Sequence, residues 1–212
     1  RATAFPNPSG RGVLKLGLAL IAAGVACALL APSRAAGAGA PASQPPAVVL
    51  QDRVARMAPS AHAGRIEAVD ARRPLTRART VLPVLGQARN SSGGIWLRVR
   101  LPGRPNGHAG WISAKRTKTT ATPWHIVVKL SARWVTVFRG GHAVRHFRAV
   151  IGNPSTPTPR GSYFIEESLA LSSYEPGGPF ALATSARSNV FQEFGGGPGQ
   201  IGIPGTDNLS GT

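Results

Sequence analysis

The chain has 212 residues, 42% of them hydrophobic, which is enough for one large core or two small ones. One cysteine, Cys27, excludes an internal disulfide and a multi-cysteine metal site. The net charge of +17 is uneven: residues 53–148 hold 19 Lys/Arg against Glu67 and Asp70, whereas 149–212 hold Arg160 and Arg187 against five acids. That contrast points to two units with different surfaces, the basic one attracting polyanions.

The chain opens on Arg1 rather than Met, so the native protein is expected to start earlier. Residues 11–31, "RGVLKLGLALIAAGVACALLA", place a basic flank before an apolar run, and small residues follow, including Ala36-Gly37-Ala38. This is the order of a secretory signal, and residues 1–40 are read as a signal peptide or an uncleaved membrane anchor. A buried core helix fits less well, because the segment has no polar face. Cys27 is read as a passenger: Gly24 stands three residues before it, where a lipoprotein site wants a larger aliphatic. The apolar run also continues through Leu29 and Leu30. Export to the cell wall or the outer face of the cytoplasmic membrane is therefore expected, with membrane contact only through this segment. Export counts against nucleic acid as a partner. The Ala-, Pro- and Ser-rich residues 41–64 are expected to be a disordered linker.

Residues 65–115 show short strand patterns separated by turn signals. "IWLRVRL" alternates, with Trp96, Arg98 and Arg100 on one face and Ile95, Leu97, Val99 and Leu101 on the other. "PGRPNG" supplies a tight turn, and "AGWI" a returning strand. A small barrel is expected, its arginines forming a surface for anionic wall polymer. Packing is the favoured role for Trp96 and Trp111, with ligand contact the alternative.

"RTKTTATP" (116–123) is a polar connector, and residues 125–152 read as a three-stranded meander turning at Gly140-Gly141. Trp134, Thr136 and Phe138 share one face of its second strand. His142 and His146 stand four apart, but in a strand pattern, so they are read as solvated groups and no zinc site is expected. "NPSTPTPRGSYFIEES" is a Pro-rich loop running into a strand. Gly197, Gly199 and Gly202 satisfy G-x-G-x-x-G, but Pro198 interrupts it and a strand follows, so no dinucleotide site is read. No cofactor is expected.

The run "VVKLSARWVTVFRGGHAVRHFRAVIGNPSTPTPRGSYFI" resembles the catalytic domain of L,D-transpeptidases, cysteine enzymes that cross-link bacterial peptidoglycan. Its order carries the likeness: a strand ending in Gly152, the Thr156–Gly161 loop, another strand, then Ile203-Pro204-Gly205-Thr206. "WLRVRLPGRPNGHAGWI" is similar to the SH3-like modules of exported wall proteins. The resemblance implies a mostly β protein: an SH3-like module over 65–115, then an L,D-transpeptidase domain over 122–212. It also implies peptidoglycan stem peptides as partners, and a substrate cleft at Thr158, Gly161, Pro204, Gly205 and Thr206. In the family, a cysteine in Ser-His-Gly-Cys attacks a stem-peptide carbonyl and forms a thioester. That motif is expected beyond Thr212, so no catalytic residue is assigned within this chain, which is expected to be inactive as given. Pro204 replaces the family's histidine in Ile-His-Gly-Thr. Two alternatives remain: a degenerate, non-catalytic wall-binding homologue, and an unrelated exported basic protein that binds polyanions.

Overall fold

Short apolar runs broken by Pro, Gly and Asn leave little room for helix. The computed structural model, which describes residues 40–174, 177–193 and 197–205, is accordingly built almost wholly of strands. Among the described residues the single helical element is a 3₁₀ turn over Leu130–Ala132. The mostly β expectation holds. The apolar segment of residues 1–39, Cys27 within it, and Thr206 lie outside the described residues.

The first sheet is larger than the sequence pattern implied. It contains β1 (Pro46–Val49), β2 (Arg53–Arg56), β3 (Arg65–Val69), β4 (Val81–Arg89), β5 (Ile95–Arg100), β6 (Ala109–Ser113) and β7 (Thr117–Thr119). Their order is β3-β2-β6-β5-β4-β1-β7. Strands β1 and β2 come from the stretch expected to be a disordered linker, and that expectation is corrected here. The Pro-rich composition conceals a Pro46-Ala47-Val48-Val49 run that pairs on both sides, Ala47 facing Leu82 of β4 and Thr119 of β7. Ala47 and Val49 are fully buried, and Gln44 exchanges two backbone hydrogen bonds of 3.0 Å with Thr122. With its backbone satisfied at both edges and its apolar face covered, the segment offsets its ordering entropy.

The core gathers Val49, Leu82, Leu97, Val99, Leu101 and Ile112, with small Ala47 and Ala55 between them. The β5 alternation is as read: Leu97 and Val99 point into this core while Arg98 is exposed. Trp96, on the opposite face, is nonetheless buried, which fits its packing role. Gly110 is tightly packed: a Cβ there would lie 2.9–3.1 Å from Leu101, Ala55 and Ile66, so these side chains would have to shift.

Two three-stranded antiparallel sheets follow. The first is the expected meander of β8 (Trp124–Lys129), β9 (Trp134–Arg139) and β10 (His142–Arg148). The second has order β11-β12-β13, from β11 (Ile165–Ala170), β12 (Phe180–Arg187) and β13 (Gln200–Pro204). Phe164 packs on the core of the first sheet, and the 102–107 turn grips β12 and the residues just after it. Gly103 donates to the Ser185 carbonyl (3.3 Å), and the Asn106 side chain both accepts from Arg187 N (2.8 Å) and donates to Arg187 O (2.7 Å). Arg104 adds bonds to the carbonyls of Ser188 and Phe191.

Candidate functional site

The Thr156–Gly161 loop is built by its own polar side chains. Asn153 Oδ1 accepts from the backbone N–H and the hydroxyl of both Ser155 and Thr156, at 2.7–3.0 Å. This side chain thus satisfies donors that a proline-interrupted loop could not pair along a ladder. The loop folds back so that Gly152 N donates to Thr158 Oγ1 at 2.8 Å. The approach is so close that a Cβ on Gly152 would lie 2.1 Å from Thr156 O. Gly161 has φ 150, and Tyr163 folds over it to donate to the Arg160 carbonyl (2.9 Å).

Pro204 and Gly205 stand at the end of β13, an edge strand, where the lost N–H of proline is tolerated. Pro204 pairs with Ala181, and Gly205 N donates to Gly177 O at 2.9 Å. A Cβ on Gly177 would meet the Pro204 ring at 2.7 Å, so glycine there makes room for proline. Both Pro204 and Gly205 are exposed. Among the described residues, no hydrogen bond joins Thr158 or Gly161 to Pro204 or Gly205.

A group that the sequence reading missed sits between the first sheet and β11–β13. The Glu166 side chain is buried and pairs with Arg73 and with Arg187 Nη1 (2.9 Å), and Gln200 Nε2 donates to it at 3.2 Å. Glu167, also buried, accepts from Thr76 N at 2.8 Å and faces Arg73 Nε at 3.9 Å. Neighbours on a regular strand point to opposite faces, yet here both carboxylates reach Arg73. The cause is a register shift between Ile165 and Glu167 in the pairing with β12. Desolvation lowers both guanidinium groups below the ordinary arginine value, opposed at Arg73 by Glu167 and at Arg187 by Glu67. The one available sequence signal was that Glu166-Glu167 ends an acid-free stretch from residue 71 to 165.

Beside this cluster lies a cavity of about 360 Å³, lined among others by Thr80, Arg73, Glu167 and Gln200. Thr80 is 1% exposed, and its hydroxyl has no partner among the described residues. A shallower hollow of about 420 Å³ on the first sheet is lined by Asp52, Arg53, Arg56, Trp96 and Ser113. Neither hollow touches the Thr158 or Pro204 clusters. Among the described residues there is no cysteine and no grouping of His, Cys, Asp and Glu suited to a metal ion.

Residues 123–203 match the YkuD family model, the L,D-transpeptidase catalytic domain. No curated protein and no solved structure matches the chain.

Proposed function

We propose, on the premise that residues 123–203 carry an L,D-transpeptidase catalytic domain, that the chain supplies the substrate-holding scaffold of an exported peptidoglycan cross-linking enzyme. The family match is the observation that carries this reading. The chemistry such a scaffold serves is acyl transfer. A thiolate attacks the carbonyl of the third stem residue, the terminal D-Ala leaves as an amine, and the thioester passes to an amine of a second stem. A neighbouring imidazole takes the thiol proton, and backbone N–H groups hold the oxyanion. Residues 28–212 contain no cysteine, and Pro204 stands where the resembling family places histidine, so the thiol and that imidazole are absent from them. The scaffold reading assigns Thr158, Gly161, Pro204, Gly205 and Thr206 to the substrate cleft and gives the arginines of 65–115 to anionic wall polymer.

Pro204 also favours a second reading, a non-catalytic homologue that holds wall polymer. The two separate in a longer chain in which Ser-His-Gly-Cys follows Thr212, assayed for D-Ala release from a tetrapeptide stem with Pro204 and with Pro204→His. The enzyme reading expects release from both chains and a faster rate with histidine. A positioned proton-transfer group contributes about 10²–10⁴-fold, which bounds the gain. No release from either chain would favour the wall-binding homologue.

A further inference from the structure

The β8–β10 sheet has a feature that neither the family match nor the cleft residues use. Residues 124–148 hold Lys129, Arg133, Arg139, Arg145 and Arg148, three of the five histidines, two of the four tryptophans and no acid. None of those five cations has an ion-pair partner among the described residues. Cross-strand register sorts them onto two faces. Lys129 of β8, Trp134 of β9 and Arg148 of β10 are direct neighbours in one row. The next row on that face is Val127, Thr136 and His146. Arg145 is paired with Val137 and lies on the opposite face.

The row is organised in advance. His146 stacks on Trp134 with ring centroids 4.1 Å apart, and its Nδ1 is 2.8 Å from Thr136 Oγ1. The Arg148 guanidinium lies over the same indole at 5.6 Å. Lys129, His146 and Arg148 are exposed, whereas Trp134 is half-buried beneath its neighbours. An arginine held over a ring has less freedom to lose when an anion docks. Lys129 and Arg148 stand two strand spacings apart, about 10 Å, with nothing acidic between them.

We propose that the Lys129–Trp134–Arg148 row, with His146, is a docking site for an acidic sugar polymer, read by its anionic groups. The choice of a sugar polymer over single-stranded nucleic acid rests on the ring. Base recognition needs an open aromatic face, and Trp134 already carries His146 and Arg148. The choice also rests on the cell-wall reading above.

The test titrates the full chain, in non-ionic detergent at low salt, with polygalacturonate, its methyl ester and single-stranded DNA of equal charge. Polygalacturonate is expected to bind and the neutral ester not to bind. Lys129→Gln with Arg148→Gln should weaken binding about tenfold and lower the salt slope by roughly 1.5, as for loss of two counterion-releasing contacts. Arg139→Gln with Arg145→Gln removes equal charge from the opposite face of the sheet and should change affinity less than twofold. Trp134→Leu keeps every charge but frees Arg148, and should weaken binding several-fold. Equal losses from the two arginine-containing pairs would overturn the proposal in favour of a diffuse field. DNA binding tighter than polygalacturonate would overturn it in favour of a nucleic-acid surface. Neither result bears on the family reading, which is judged by acyl transfer.

Discussion

Thr80 shows how one side chain can be correct in backbone and wrong in hydroxyl. Its N–H and carbonyl are both used, by Ala71 and Val49, but its hydroxyl is buried and has no partner among the described residues. An unmade buried hydrogen bond costs about 1–3 kcal/mol, so the isosteric Thr80→Val should stabilise the protein. Thermal or urea unfolding reads the change, and a loss of stability would mean that the hydroxyl has a partner in the adjoining cavity. Gly152 gives the opposite case. Gly152→Ala puts a methyl against Thr156 O and should cost about 1–3 kcal/mol through overpacking and loop displacement. Unchanged stability would show that the loop has another way to close. The "VIGNPSTPTPRG" run marked this loop in the sequence, because Asn, Pro and Gly each announce their own backbone chemistry.

At the scale of elements, alternation made some strand faces readable, and irregularities hid others. β5 and β9 were given their faces from residues alone, through the alternation of 95–101 and of 134–138. β1 escaped because composition measures average tendency, whereas two flanking strands supplied the pairing that its prolines left incomplete. β11 was legible as a strand but the facing of its acids was not, because a register shift turns Glu166 and Glu167 to the same side, and no residue type announces that shift. The cluster they form is a seam between the first sheet and β11–β13. Removing one member of a buried ion pair typically costs about 3–5 kcal/mol because the other charge is stranded. Glu166→Gln should therefore destabilise strongly, leaving Arg73 and Arg187 without their shared carboxylate. Denaturant unfolding measures this, and a loss below about 1 kcal/mol would mean that Glu167 alone can serve both guanidinium groups.

Over the whole molecule, charge was the most legible property and its purpose the least. The basic stretch from 53 to 148 spans the first sheet and the β8–β10 meander, so its arginines are distributed over two sheets. Attraction of exposed charges is screened with a Debye length of about 8 Å at physiological ionic strength. Retention of the chain on isolated cell walls should fall steeply between low and physiological salt. Salt-independent retention would point to a closed pocket, with the hollow at Arg53 and Trp96 the first place to look.

The central proposal is that residues 123–203, which match the L,D-transpeptidase family model, form a scaffold for that chemistry, and residues 28–212 hold no cysteine. Intact-protein mass spectrometry after incubation with a carbapenem tests it most directly, on the 212-residue chain and on the longer chain carrying Ser-His-Gly-Cys after Thr212. The account predicts no adduct within residues 40–212 of the first chain, and in the second a single adduct that maps to the added cysteine. A covalent adduct mapped within 122–212 of the first chain, or none on the second, would contradict it.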